Sequence, residues 1–226
     1  MNGKKAGMLT LAFLIIAGQS SCGTDKVQQT EEKVQEAAEA PAEEQEETQP
    51  EISLMIHCAG FGIMGRIDEI PAEEQMEMVD VNCRSVVELT TMFLPYMEKG
   101  GRMIYMASSA AFLPQPGFAV YSATKAFVLS FVRSLRAECR ESNLGITVVC
   151  PGAVKTEFFK RAAEQKHLPA YKKMVMSDPK KVVRKAWRDN IAGKEISVYG
   201  KPMKLFHTAS KVLPHKVFLH FMGRQK

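Results

Sequence analysis

The chain has 226 residues, of which 46% are hydrophobic and 24% charged, values typical of a globular protein with a packed core. Its formal net charge is +5, but residues 1–50 hold 4 Lys and 9 Asp or Glu, and no acidic residue follows Glu195. The five cysteines form no CxxC pair and have no histidine at zinc-ligand spacing, so no metal site or disulfide framework is expected. No segment interleaves aromatic and basic residues as single-strand binding requires, so nucleic acid is not an expected partner.

Residues 1–22 have the pattern of an export signal. Two lysines precede a short apolar run over residues 8–18, and Cys22 follows two serines, as in the lipidation box of bacterial lipoproteins. Gln19 stands where that box usually carries an aliphatic residue, so an ordinary apolar helix is the alternative. The pattern predicts a protein anchored to a membrane through its N-terminus, with a cytoplasmic location as the alternative.

The next segment, residues 23–51, has a different composition. It is rich in Glu, Gln, Ala and Thr and contains no aromatic residue, which predicts an acidic disordered linker. Apolar runs begin at residue 52, so residues 52–226 are predicted to form the folded domain.

The folded domain alternates strands with helices. Apolar runs predict four strands, over residues 52–58, 101–107, 145–150 and 195–199. Helical periodicity predicts a two-part helix over residues 71–98, a long helix over residues 119–141 and a basic amphipathic helix over residues 204–224. The basic face of this last helix is either solvated or bound to a membrane surface. The alternation predicts an α/β fold with a parallel sheet.

Tyr121 and Lys125 carry the chemistry that the sequence indicates. They stand four residues apart on the predicted helix over residues 119–141, so their side chains share one face. A phenol ordinarily titrates near pH ~10, and an ammonium group one turn away favours the phenolate. Ser108 ends a predicted strand thirteen residues earlier, at the edge of a parallel sheet where ligands bind. The three side chains predict an acid–base site, although a Tyr-x-x-x-Lys pair alone is a weak signal.

A wider pattern resembles the short-chain dehydrogenase/reductase family. The matching segments occur in the family's order and are residues 57–60, Val81, Asn82, Ser108, Tyr121, Lys125, Pro151, Gly152 and Thr156. The resemblance covers about three quarters of the chain, from residue 54 onward. It implies an incomplete Rossmann-like, doubly wound parallel sheet that lacks its first strand–helix units.

The resemblance also implies catalytic roles. Tyr121 would exchange a proton with the substrate oxygen during hydride transfer to or from NAD(P)(H). Lys125 would lower the pKa of the phenol and hydrogen-bond the nicotinamide ribose. Ser108 would hold the substrate oxygen, with Ser109 as the one-residue alternative. Asn82 would anchor a water molecule in a proton relay.

The cofactor-binding residues that the resemblance implies are Ala59, Gly60, Tyr121, Lys125, Pro151, Gly152 and Thr156. Thr156 and the backbone near Gly152 would orient the nicotinamide amide. Taken alone, Asn82 could cap a helix, Lys125 could be a surface charge, and the Pro–Gly pair could be a simple turn. His57 replaces the Asn that commonly opens a turn in this family. We interpret His57 as structural because no carboxylate partner is evident.

The glycine-rich TGxxxGxG loop of the family does not occur in the sequence. Its backbone amides cradle the cofactor's pyrophosphate, so the affinity for NAD(P)(H) is expected to be low. The strand over residues 52–58 would also leave one edge open. Two functions are therefore considered. The first is an oxidoreductase that interconverts a small-molecule carbonyl and an alcohol. The second is a catalytically impaired remnant, or a non-catalytic interaction module on a membrane tether.

Two further expectations concern partners and the substrate pocket. The resemblance implies a homodimer, because the long helices around Val86 and Leu129 pair between subunits in this family. The segment over residues 160–176 is either a lid over the substrate or a plain surface helix.

Overall fold

The computed structural model describes residues 50–158 and 176–222. Within these ranges one sheet has four parallel strands in the order β1-β2-β3-β4, which confirms the predicted α/β fold. The strands are β1 Ile52–His57, β2 Met97–Met106, β3 Gly145–Val149 and β4 Ile196–Ser197. The predicted signal over residues 1–22, nearly all of the predicted linker over residues 23–51 and the predicted lid over residues 160–176, apart from its last residue, lie outside the described residues.

Six α-helices occur in the same ranges. They are α1 Ala72–Val79, α2 Ser85–Phe93, α3 Ala119–Glu138, α4 Pro179–Ile191, α5 Lys201–Val212 and α6 His215–Met222. A π-helical turn, Asp80–Arg84, joins α1 to α2, and 3-10 turns lie at Leu94–Tyr96 and Ser109–Phe112. None of these helices is long and apolar enough to cross a bilayer.

Two predicted boundaries are wrong. The helix predicted over residues 71–98 ends in the 3-10 turn Leu94–Tyr96, and Met97 already pairs with Ile52 of β1. The basic helix predicted over residues 204–224 is two helices, because Pro214 forces the residue before it out of the helical region. Leu213 accordingly has φ −89 and ψ 137 and separates α5 from α6.

The sheet is covered on both faces by helices. Met103 and Tyr105 of β2 face the core formed with α2 and α3, together with Ile146 and Val148 of β3. Ile104 and Val149 point to the opposite face, where Val182 and Ala186 of α4 cover them. This alternation is the period of two that strands impose, and it makes the sheet doubly wound.

β1 lies at one end of the sheet formed by the described residues. Ile56 shares its register with Ile104, yet 43% of its surface is exposed, whereas Ile104 is buried beneath α4. Among the described residues, nothing covers Ile56 as α4 covers Ile104. The open strand edge predicted from the sequence is present within this part of the chain, because β1 pairs with β2 on one side only.

Candidate active site

The carboxyl end of β2 and the first turns of α3 meet at the candidate site. Lys125 donates a hydrogen bond from Nζ to the carbonyl oxygen of Met106, the last residue of β2, over 3.1 Å. The same Nζ lies 5.8 Å from the ring centre of Tyr121. The structure thus places Tyr121 and Lys125 on one face of α3, against the edge of the sheet at which its strands end.

Tyr121 is enclosed by aromatic rings. The ring of Phe118 stacks on it with 4.2 Å between centres, and the ring of Phe158 lies 5.5 Å away. Burial raises the pKa of Tyr121 to about 12, although a hydrogen bond with the Ser108 side chain lowers it in part. The sequence predicts that Lys125 lowers the pKa of the Tyr121 phenol. In the structure this pKa is raised instead. The reason is that desolvation outweighs the favourable contacts, and the Lys125 ammonium hydrogen-bonds Met106 instead.

Lys125 is buried, so its interpretation as a surface charge is wrong. Burial lowers its pKa to about 8, while the neighbouring thiols of Cys83, Cys58 and Cys150 act in the opposite direction. Near neutral pH a lysine of this kind exists in both protonation states and can therefore take up and release a proton.

Asn82 lies fully buried in the turn between α1 and α2. Its Oδ1 accepts a hydrogen bond from the backbone N–H of Phe61 over 2.9 Å. Its Nδ2 donates to the carbonyl oxygen of Phe61 over 2.8 Å and to Thr124 Oγ1 over 3.0 Å. The helix-cap interpretation is therefore wrong. Asn82 holds the loop after β1 against α3, where it bonds to Thr124, the residue before Lys125.

Gly60 is the point where the loop after β1 comes closest to Asn82 and Lys125. A Cβ atom at Gly60 would lie 2.8 Å from Asn82 Oδ1 and 2.9 Å from Lys125 Nζ. Its φ of +152 also lies in a region that other residues rarely adopt. Glycine is therefore required here for both space and backbone conformation.

The glycines at positions 60, 62 and 65 have the G-x-G-x-x-G spacing that in other folds marks a dinucleotide loop after a strand. Protein side chains occupy the space at each of them. A Cβ atom at Gly62 would lie 2.7 Å from the Tyr121 ring, and one at Gly65 would lie 2.8 Å from Ile70. The loop also does not open directly into a helix, because α1 begins only at Ala72. These glycines allow close packing against neighbouring side chains of the protein, among them Tyr121 at Gly62, and are not a pyrophosphate cradle.

Ser108 stands at the end of β2, where its Oγ accepts a hydrogen bond from the backbone of Ala110 over 3.1 Å. It is the side chain of Ser108, not that of Ser109, that acts on Tyr121, where it partly offsets the rise of the phenol pKa. Ser109 instead donates its backbone N–H to the carbonyl oxygen of Pro151 over 2.8 Å. That bond ties the segment after β3 to the segment after β2.

The remaining predicted cofactor residues lie around this edge of the sheet. Ala59 and Gly60 follow β1, and Pro151 and Gly152 follow β3. Gly152 is covered by Met203 of α5, whose Sδ would lie 2.6 Å from a Cβ atom at Gly152. Thr156 follows Gly152 in the chain and is exposed, so the structure does not bring it into contact with the buried residues Asn82, Tyr121 and Lys125.

His57 is a buried structural residue, in agreement with its interpretation from the sequence. Its ring stacks on Tyr105, and its Nε2 lies 3.2 Å from Ser85 Oγ. Burial and the nearby charge of Lys125 lower the pKa of His57, so the imidazole is neutral at pH 7. The described residues contain no group of three His, Cys, Asp or Glu that could hold a metal ion.

A groove of about 490 Å³ lies on the other side of α3. It is lined by the segment over residues 110–116, by α6 and by Ala119, Ser122, Ala123 and Ala126 of α3. Ser108, Tyr121, Lys125 and Asn82 do not line it, so this groove does not belong to the candidate site.

Sequence reasoning missed the aromatic enclosure and the thiols around Lys125. Phe118 precedes Tyr121 by three residues, which is the spacing of neighbours on a helix and could have indicated the ring pair. Cys58 follows β1, whereas Cys150 and Phe158 follow β3, and no local spacing connects these residues to the site.

Sequence comparison decides the family. A profile described as short chain dehydrogenase matches residues 22–167, which is more than half of the chain. The chain belongs to the short-chain dehydrogenase family. The match begins at residue 22 and so includes the segment that composition predicts to be a linker.

Curated relatives align with part of the chain. The uncharacterized oxidoreductase YvaG of Bacillus subtilis is 36% identical over 110 residues, which cover 48% of this chain and 42% of YvaG. Human dehydrogenase/reductase SDR family member 4 is 31% identical over 107 residues, or 46% of this chain and 38% of that protein. The chain thus spans about half the length of the curated relatives it matches, or somewhat less.

Solved structures share the fold. The short-chain dehydrogenase from Sphingobium yanoikuyae in complex with NADPH has a TM-score of 0.60 at 22% identity, covering 77% of this chain and 66% of that one. A short chain dehydrogenase from Burkholderia cenocepacia in complex with NADP has a TM-score of 0.63 at 20% identity, covering 76% and 70%. These likenesses support the Rossmann-like architecture.

Proposed function

We propose that this protein is an NAD(P)-dependent oxidoreductase that interconverts a small-molecule carbonyl compound and its alcohol. The observation that carries the proposal is the position of the buried Tyr121, whose pKa the Ser108 side chain lowers in part, with the Lys125 ammonium 5.8 Å from the Tyr121 ring. The three groups lie at the carboxyl ends of parallel strands, where this class of fold binds its ligands. Family membership supports the same reaction type.

Tyr121 is the proposed acid in the reductive direction. With a pKa raised to about 12, its phenol is protonated at neutral pH and can donate to a carbonyl oxygen that becomes an alkoxide. Ser108, whose side chain lowers the pKa of the phenol in part, would hold the same substrate oxygen. A bound nicotinamide cofactor supplies the hydride for the carbonyl carbon.

Lys125 and Asn82 are proposed to return the proton. Lys125 has a pKa near 8, so it can pass a proton towards Tyr121 and regain one from solvent. Asn82 fixes the backbone at Phe61, beside Gly60 and Lys125. The carbonyl oxygen of Phe61 and the Asn82 amide are the polar groups that could position a relay water there.

The described residues fit the nicotinamide end of a dinucleotide. Lys125 would hydrogen-bond the ribose, the backbone at Gly60 would border it, and the backbone at Pro151 and Gly152 would orient the amide. Thr156 would complete this end of the site. No TGxxxGxG turn occurs in the sequence, so we expect a low affinity for NADH or NADPH.

A second candidate function rests on the absence of a TGxxxGxG turn from the sequence. The glycines at positions 60, 62 and 65 offer no alternative cradle for the pyrophosphate. The space beside them is occupied by the side chains of Asn82, Lys125, Tyr121, Phe118 and Ile70. The alternative is a catalytically impaired remnant or a non-catalytic interaction module.

Membrane anchoring through residues 1–22 stays a prediction.

Pairing of two copies through α2 and α3 also stays a prediction, with one change of residues. Val86 packs in the core and Leu129 is half-buried against it. The exposed apolar side chains on these helices are those of Val87, Met92 and Phe127. A dimer through α2 and α3 would therefore bury these three rather than Val86.

The decisive experiment compares two buried tyrosines. Tyr121→Phe is expected to abolish reduction of a panel of aldehydes and ketones by NADPH or NADH, since it removes the proposed proton donor. Tyr105→Phe is the matched control, because Tyr105 is equally buried and hydrogen-bonds only Thr90, over 2.8 Å. This control should retain turnover.

Calorimetric titration of NADPH and NADH into the same proteins separates binding from chemistry. Turnover that survives in Tyr121→Phe would contradict the assignment of the acid. A folded wild-type protein that binds neither cofactor at millimolar concentration would favour the non-catalytic alternative.

A further inference from the structure

The outer face of α5 carries the two most exposed large hydrophobic side chains among the described residues. Leu205 is 71% exposed and Val212 is 76% exposed. They stand seven residues apart, so they lie on one face of the helix, two turns from each other. Leu213, between α5 and α6, and Val217 of α6 continue this apolar surface with exposures of 44% and 40%.

The same surface is basic. Lys201, Lys204 and Lys211 of α5 and Lys216 of α6 are all exposed, and no Asp or Glu follows Glu195 in the sequence. Within the described residues, none of the ion pairs includes any of these four lysines. The side chain of Glu195 is itself paired with Arg133. The surface therefore presents uncompensated positive charge around exposed aliphatic groups.

The inner face of α5 fixes this surface in place. Met203 and Phe206 pack against the main core, and the Phe206 ring contacts the rings of Phe112 and of Phe218 in α6. The lysines and aliphatic groups on the outer face are thus held outward by a helix that already uses its other side. The outer surface consequently needs a partner outside the fold if its apolar groups are to be buried.

We propose that the outer face of α5 and the start of α6 bind the surface of an anionic lipid bilayer. The combination of exposed Leu and Val side chains with a row of lysines beside them is the pattern of a helix that lies in the plane of a membrane interface. The lysines would meet lipid phosphates while Leu205 and Val212 enter the acyl boundary. A nucleic acid would leave Leu205 and Val212 against water and phosphate. A second copy would bring the same four lysines together.

The proposal is tested by sedimentation of the purified full chain with vesicles of phosphatidylcholine alone and with added phosphatidylglycerol. Binding should require the anionic lipid and weaken as salt is raised. Lys204→Gln with Lys211→Gln is expected to reduce the partition coefficient roughly thirtyfold, since each lysine near such a surface contributes about 1 kcal/mol. Leu205→Ser with Val212→Ser should reduce it by about tenfold without changing the charge.

Matched control variants lie on α4, which covers the opposite face of the sheet. Lys180→Gln with Lys181→Gln removes two exposed lysines, and Val183→Ser with Ile191→Ser removes two exposed aliphatic groups. Both controls should bind vesicles as the wild type does. Circular dichroism melts identify any variant that fails to fold. If one of the two α5 variants does not fold, the vesicle binding of the other α5 variant tests the proposal.

Several results would overturn the proposal. Equal losses in the α4 controls would mean that the contact is unspecific, and unchanged binding in both α5 variants would place it at another segment, such as residues 1–22. Binding to nucleic acid or a dimer that is lost in the α5 variants, without any binding to anionic vesicles, would assign the surface to that partner instead.

Discussion

Close packing around Gly60 links the loop after β1 to Asn82 and Lys125 of the candidate site. Asn82 cannot move aside easily, because its side chain already makes three hydrogen bonds, two to Phe61 and one to Thr124. Lys125 is likewise buried and bonded to Met106. A single added methyl group at Gly60 would therefore disturb both side chains.

We expect Gly60→Ala to lower the free energy of unfolding by about 2–4 kcal/mol, from backbone strain together with the collision. Gly117→Ala is the control, because Gly117 also has a positive φ, +73, but no atom lies within 4 Å of its missing Cβ. The control should lose only about 1–2 kcal/mol, the cost of strain alone. Urea unfolding of both variants measures the difference. Equal losses of unfolding free energy in the two variants would show that Asn82 and Lys125 move aside without destabilising the protein.

At the scale of elements, the sequence predicted those parts of the fold that depend on local patterns. The long helix α3 was predicted within three residues because its apolar residues recur at periods of three and four. The predicted strand over residues 195–199 has only two paired residues, since strand pairing depends on a distant neighbour, β3. The position of α5 against Gly152 could not be predicted, because no spacing rule relates residues so far apart in sequence.

The contact between Gly152 and Met203 gives a test of how α5 docks on the candidate site. A Cβ atom at Gly152 would lie 2.6 Å from Met203 Sδ and 2.9 Å from its Cγ. Gly152→Ala alone should cost about 1–2 kcal/mol, because Met203 must leave its position against the core. Combined with Met203→Ala, the Gly152 substitution should cost almost nothing further. A double-mutant cycle by urea unfolding measures this coupling, and additive losses would refute the contact.

At the scale of the whole molecule, the site's residue types were predictable and its electrostatics were not. Tyr121, Lys125 and Ser108 follow from spacing and from the ends of strands. The direction of the Tyr121 pKa shift was predicted wrongly, because it depends on burial beneath Phe118 and Phe158. Burial is a property of the assembled fold. The same burial lowers the pKa of Lys125, and it makes the stability of the whole protein depend on pH.

Lys125 has a pKa of about 8 in the folded protein, below its ordinary value of 10.5. Between these values the unfolded chain binds one more proton than the folded protein, so the free energy of unfolding rises with pH. From about pH 7 to pH 9 this contribution amounts to about 1–1.5 kcal/mol. Lys125→Met removes it. The thiols of Cys58, Cys83 and Cys150, whose pKa values are raised by desolvation, act in the opposite direction as the pH approaches 9.

These thiols are present in both proteins, so the difference between wild type and Lys125→Met reports the lysine together with its effect on the thiol pKa values. At pH 7 the variant should be the more stable of the two, because it buries a methionine in place of an ammonium group. Its advantage should shrink by about 1 kcal/mol at pH 9. Urea unfolding at the two pH values measures the change. Parallel pH profiles would mean that Lys125 keeps its ordinary pKa in the fold, and a proton relay through it at neutral pH would then lose its support.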